Sequence, residues 1–189
     1  MKKNLWISLL MTVATTVLFG LVYPLVVTAL AQLIFPHKAN GELIVKNGRV
    51  VGSSIIGQGF SGPGYFHSRP SAAGNGYDAA NSAGSNLGPT NQKLLDRVTN
   101  DVAAAQADNP NTPVPVDLIT TSSSGLDPDI TPAAALFQVP RISRIRGISQ
   151  DQVRTLVQRH IQQREFGILG EPRVNVLGLN LALDEKMDN

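Results

Sequence analysis

Between Asn4 and Pro36 the chain carries no charged residue, and Leu5 to Phe35 is dominated by Leu, Val, Ile, Ala and Thr. A helix needs about 20 apolar residues to cross the hydrocarbon core of a bilayer, so this run is long enough to do so. The reading is an N-terminal anchor over residues 1–36 with one transmembrane helix at about 7–32. Lys2 and Lys3 precede the run. Positive charge beside a membrane helix normally stays in the cytoplasm, which places the N-terminus inside and residues 37–189 outside. Trp6 and Phe35 suit the two lipid–water interfaces. Pro24 is expected to kink the helix without ending it, because Leu25 to Ala31 remains apolar. A cleaved signal peptide is the rival reading, with Ala29-Leu30-Ala31 as a small-residue cleavage pattern. The apolar stretch of a signal is typically about 7–15 residues, well short of this one. Either reading exports the domain.

The 189 residues have room for one ordinary domain besides the anchor. Sixteen Lys and Arg stand against 14 Asp and Glu, scattered without a run of like charge, so no nucleic-acid surface is expected. The absence of cysteine rules out disulfides, thiolate metal sites and a cysteine nucleophile.

Beyond Pro36 the pattern is that of a mixed α+β domain with a small sheet near its start and about three helices. Glu42–Val45 and Arg49–Val51 flank Asn47-Gly48, the strongest short hairpin signal, and Ser54–Ile56 is expected to add a third strand. Residues 57–89 read as a long loop whose spaced aromatics favour ordered packing. Thr90 or Asn91 caps a helix to about Ala107, with Leu94, Leu95, Val98, Val102 and Ala105 on one face. Val116–Thr120 reads as a strand. Thr131-Pro132 opens a short helix through Gln138, stopped by Pro140. Ser149 starts the clearest helix, with Val153, Leu156, Val157, His160 and Ile161 on one stripe and Gly167 past its end. Residues 173–184 fit either a strand or an Asn-capped helix.

Signs of chemistry are sparse. Gly57, Gly59 and Gly62 form a literal G-x-G-x-x-G, but Gly62-Pro63-Gly64 prevents the helix that would hold a pyrophosphate, so turn glycines are the reading. His37, His67 and His160 lack metal-ligand spacing, and no metal site is expected. His160, on an apolar stripe, reads as a hydrogen-bonded core histidine. Asp127 and Asp129 read as turn caps. No G-x-S-x-G elbow supports hydrolysis. What does stand out is two dense segments of the long loop, Tyr65–Ser71 and Ser85–Asn91. Their Tyr65, His67, Arg69, Asn86 and Asn91 are the interface candidates, since aromatic, Arg and amide groups combine area with directional hydrogen bonds. A self-packed loop is the alternative.

Those two segments, together with Gly52–Gln58, Thr121–Asp127, Ile130–Ala135, Gly170–Asn175 and Leu179–Asp184, resemble the C subunit of the bacterial Kdp potassium-transporting P-type ATPase, in the family's order and behind a single anchor. The resemblance implies an accessory subunit, without a catalytic site of its own, in an ATP-driven high-affinity potassium uptake complex of the bacterial inner (plasma) membrane. Its domain would be periplasmic or extracellular. The implied partners are a channel-like potassium-binding subunit, an ATPase subunit, a small stabilising subunit and membrane lipid, with potassium as the cargo. The family is described as a catalytic chaperone that raises ATP affinity. The chain would need no cofactor of its own, with ATP as the one possible ligand.

A stretch likened to the signature of ABC transporters corresponds to Ile148–Gln152, which gives the alternative reading: a nucleotide-binding regulator contacting ATP through Ser149 and Gln152. The same two residues match a capping box. An anchored extracytoplasmic enzyme or solute binder is the third class, and no acid–base pair in the sequence recommends it.

Overall fold

The computed structural model describes residues 2–186, and the chain divides into two compact units at Val51/Gly52. In the first unit a continuous helix covers Lys2–Ile34. It comprises α1 (Lys2–Thr15), a π-helical stretch (Thr16–Val22) and α2 (Tyr23–Ile34). Pro24 lies in the first turn of α2. Its ring leaves no N–H for the carbonyl four residues back, and the wider π turns just upstream take up the mismatch. The helix therefore continues through Pro24, as its flanking sequence requires. Its large side chains, from Leu5 to Ile34, are all exposed. A helix apolar on every side needs an apolar surrounding, and its 33 residues reach about 50 Å at 1.5 Å each, enough to cross a bilayer.

After α3 (Pro36–Ala39), strands β1 (Leu43–Lys46) and β2 (Arg49–Ser53) pair around the expected two-residue turn. Asn47 and Gly48 both have positive φ, 52° and 76°. That is the mirror-image turn whose twist matches paired strands.

The second unit is built on a three-stranded antiparallel sheet in the order β3-β5-β4, from β3 (Asp129–Ile130), β4 (Ile161–Gln162) and β5 (Arg173–Asn175). Ile130 and Ile161 both face Val174 across the sheet. Helices α5 (Pro132–Phe137), α6 (Val139–Arg146), α7 (Gln150–Arg159) and α8 (Val176–Glu185) close one core over it. Within that core α7 packs against α5, α6 and α8. Phe66, Ile142, Val153, Val157, Val174, Leu179 and Leu183 are fully buried there.

Several elements differ from the sequence reading, each for a local reason. Ser54–Ile56 forms a turn, because the Gly57 N–H turns away to the Leu126 carbonyl at 2.8 Å. Val116–Thr120 is a 3-10 turn over Val116–Leu118. It points the buried Asp117 at Thr131, whose N–H and Oγ1 donate to the two carboxylate oxygens at 2.7 and 3.1 Å. Thr131 in turn accepts from the Ala134 N–H, so the expected cap of α5 is present. Pro140 does not end the helical region. It sits in the first turn of α6, where no N–H is required. Helix α7 stops at Arg159 and leads through His160 into β4, well before Gly167. His160 is half-buried, with Nδ1 2.8 Å from the Leu156 carbonyl, so it is hydrogen-bonded as read but lies outside the buried core. The ambiguous tail is both things in succession: β5 ends at Asn175, whose side chain then caps α8 by accepting from the Gly178 N–H at 3.0 Å.

Helix α4 (Gln92–Asp108) starts at Asn91 as expected, but its apolar stripe is not part of the core. None of its residues is fully buried and Leu95 is exposed. Two of its ties to the body are polar: Arg97 donates to the Ile119 carbonyl, and Asp108 pairs with Arg141 at 3.1 Å.

Candidate functional site

The long loop is ordered because its backbone is held by side chains. A loop segment inside a domain must pair its own N–H and C=O groups, and among the described residues no strand pairs with Pro63–His67 to do so. Helices α5, α6 and α8 supply the partners. Arg141 donates to the carbonyls of Pro63 and Tyr65, and Arg146 Nε to that of Gly64 at 2.8 Å. Asn180, 1 % exposed, takes both backbone groups of Phe66: its Oδ1 accepts from the N–H at 2.8 Å and its Nδ2 donates to the C=O at 3.0 Å. Gln138, also buried, does the same for His67, accepting at 2.8 Å and donating at 3.0 Å. Two side-chain amides thus imitate a neighbouring strand, and five consecutive carbonyls are satisfied without one. With the backbone so fixed, the Phe66 ring is driven fully into the core.

This frame fixes three of the interface candidates. Tyr65 lies under the Arg146 guanidinium, 4.4 Å from ring centre to carbon, and its hydroxyl donates to Asp184 at 3.2 Å. Asp184 also pairs with Arg146 at 3.0 Å. His67 Nε2 is 3.0 Å from the Gly62 carbonyl. Burial, then the nearby Arg141 charge, lower the pKa of its imidazole, which suits a neutral ring donating Nε2–H to that carbonyl. Arg69 pairs with Asp127 at 3.0 Å and donates to the carbonyls of Thr120 and Thr121. Ser71 Oγ donates to the Gly125 carbonyl at 2.6 Å, so the motif is sewn to residues 120–127. The sequence foresaw an ordered loop, and its polar groups turn inward.

Asn86 and Asn91 lie apart from that network. Asn86 is exposed with φ of 53°, and Asn91 is the exposed cap of α4, accepting from the Lys93 N–H at 2.9 Å. Asn91 thus has a local structural task.

Arg141 joins the strap to the rest of the domain. It is 5 % exposed, and besides the two carbonyls it pairs with Asp108 through Nε and donates to Gln138 Oε1 at 2.7 Å. Burial lowers its pKa while Asp108 acts in the opposite sense. A cavity of about 370 Å³ lies beneath α4, bordered by His67, Phe137, Arg141 and Asp108. Gln138 and Arg141 escaped the sequence reading because nothing in Phe137-Gln138-Val139-Pro140-Arg141 shows which polar residues turn inward.

Ser149 and Gln152 are exposed and form the full capping box of α7. The Ser149 N–H donates to Gln152 Oε1 at 3.1 Å, and the Gln152 N–H donates to Ser149 Oγ at 3.2 Å. Replacing Ser149 with Ala is therefore expected to cost about 1 kcal/mol, whereas Ser149→Asp should retain most of the stability, since Asp caps equally well. Thermal unfolding of both variants checks this. If Ser149→Asp proves as unstable as Ser149→Ala, the capping role is not what holds this helix start.

A model of the family described as "K+-transporting ATPase, c chain" matches residues 5–185. The chain is 66 % identical over 184 residues to the potassium-transporting ATPase KdpC subunit of Koribacter versatilis, covering 97 % of this chain and 95 % of that protein. It is 58 % identical to the KdpC subunit of Acidobacterium capsulatum, over 97 % and 98 % of the two chains, and 55 % identical to that of a Rhodopseudomonas palustris strain, again over 97 % and 98 %. These likenesses take in the anchor and the domain together, and the chain belongs to the KdpC family of potassium-transporting ATPase subunits.

Proposed function

We propose that this chain is a non-catalytic accessory subunit of an ATP-driven, high-affinity potassium uptake complex. It is held in the bacterial inner membrane by Lys2–Ile34 and contributes its domain on the outer side. The observation that carries this reading is the family match, which runs unbroken from the membrane helix to the last helix of the domain. Lys2 and Lys3 support a cytoplasmic N-terminus. The domain's charged groups support a scaffold: Arg69, Arg141, Arg146 and Asp184 are committed to internal pairs. A docking module has use for such rigidity, because a surface fixed before contact loses less entropy on binding. Its partners are the potassium-binding, ATPase and small stabilising subunits together with the surrounding lipid, and potassium is handled by the complex.

The effect on ATP affinity that the resemblance implies is transmitted, in this reading, through assembly. Ser149 and Gln152 satisfy one another and the start of α7. With the domain outside, ATP bound on the cytoplasmic side has no path to them. The nucleotide-binding alternative requires the opposite orientation.

Two measurements test the proposal. Ser123 is exposed and the chain has no cysteine, so Ser123→Cys offers a single label site on this subunit. In intact cells it should react with a membrane-impermeant reagent, whereas protection until lysis would favour the ATP-contacting alternative. A complex purified without residues 38–189 should lose assembly or potassium affinity. Normal values for both would end the docking reading.

A further inference from the structure

We infer that the turn Phe166–Leu169 is the docking plug of this subunit and seats in an apolar pocket of another subunit of the same ATPase. The inference rests on the docking role proposed above and gives that role a surface.

Between β4 and β5 the chain closes a tight hairpin. The N–H and C=O of Glu165 exchange hydrogen bonds with those of Leu169, both at 2.9 Å, and the Gly167 N–H donates to the Arg164 carbonyl at 3.0 Å. The loop so closed presents Phe166, Ile168 and Leu169 at 91, 75 and 57 % exposure. Outside the N-terminal unit, no other three large apolar residues within so short a stretch of the described chain are this open. Single exposed apolar side chains are ordinary, but a contiguous group on a projecting turn marks a contact surface. Phe166 also holds φ at 53°, a left-handed conformation that bulky residues rarely adopt. The backbone hydrogen bonds enforce it and so aim the ring outward from a rigid base.

Charge decides between the two occupants such a tip could have. An anionic bilayer surface is recognised by uncommitted Lys and Arg. Here the basic residues at the base of the tip have carboxylate partners: Arg164 pairs with Glu171 at 2.6 Å, and Arg173 with Glu165 and Asp129 at 3.2 Å each. Glu165 and Glu171 are themselves poorly suited to anionic headgroups. An aromatic and two aliphatic side chains inside a rim of paired charges is the pattern of a protein hot spot, where a polar ring excludes water from an apolar centre. Since the chain belongs to a family of ATPase subunits, the fitting partner is an apolar pocket on a neighbouring subunit.

The test uses the intact complex in native membranes. With p-benzoylphenylalanine placed at Phe166, irradiation should link this chain to another subunit of the ATPase, identified by mass spectrometry, while the same group at the exposed Gln92 of α4 should not. The double variant Phe166→Ser, Ile168→Ser should reduce retention of this subunit on the purified complex by about tenfold or more, the loss expected when a hot spot is removed. Its thermal unfolding should stay unchanged, since neither side chain belongs to the core. Adducts with lipid alone, or no adduct in an assembled complex, would overturn the inference while leaving the docking role intact. Normal assembly and potassium affinity without residues 38–189 would overturn the docking role itself.

Discussion

Asn180→Leu should lower the stability of the domain by about 4 kcal/mol, although leucine has the same branched skeleton as asparagine. The substitution strands the N–H and C=O of Phe66, which Asn180 alone satisfies at 2.8 and 3.0 Å in a site 1 % exposed. A buried polar group left unpaired costs about 1–3 kcal/mol, and here there are two. For a domain of this size that corresponds to roughly 10–15 °C in melting temperature. Asn180→Ala should be at least as damaging, and Asn180→Asp should fail to rescue because it loses the donor to the Phe66 carbonyl. Thermal unfolding of the full chain in detergent reads all three. If the leucine variant unfolded within a few degrees of the parent, hydrogen bonding would not be what orders the strap.

Arg141→Lys should cost about 2–3 kcal/mol, most of what Arg141→Met costs, because the position uses the shape of guanidinium as well as its charge. Arg141 reaches Asp108, the carbonyls of Pro63 and Tyr65, and Gln138 in different directions at once. A lysine ammonium radiates its donors from one point at the end of a flexible stem and cannot span these acceptors. Asp108 is about half exposed and rehydrates when released, which keeps the loss below that of a fully buried pair. Both variants should also loosen α4, for which the Asp108 contact is one of few ties, and hydrogen exchange should quicken from Gln92 to Asp108 ahead of the core helices. Unchanged exchange there would show that α4 is held by something other than this pair.

Both effects concern residues the sequence did not single out. Gln138, at the junction of α5 and α6, and Asn180, on α8, are two polar side chains among apolar neighbours, and helical periodicity marks such residues only as interruptions. Their importance arises where α5, α6 and α8 meet the loop, from partners more than 70 positions away in the chain. Phe166 and Ile168 escaped notice for the complementary reason. In Phe166-Gly-Ile-Leu-Gly170 apolar residues have no period to match, and only the folded chain shows that nothing covers them.

Local chemistry nevertheless determined a good deal. The membrane-length helix follows from the absence of charge from Asn4 to Pro36, since no interior of a small domain is needed to explain it. The hairpin at Asn47-Gly48 and the helix starts at Asn91, Thr131 and Ser149 were legible because turns and caps depend on a few adjacent residues. Tertiary structure alone decided what becomes of ambiguous stretches. Val116–Thr120 has strand composition but no strand beside it, so Asp117 and Thr131 shape it instead. Val174 becomes the centre of a sheet because Ile130 and Ile161 arrive on either side, from 44 and 13 residues away in sequence. The Tyr65–Ser71 motif could be recognised from its residue types, but the direction in which they point was settled by long-range hydrogen bonds, whose partners no local pattern encodes.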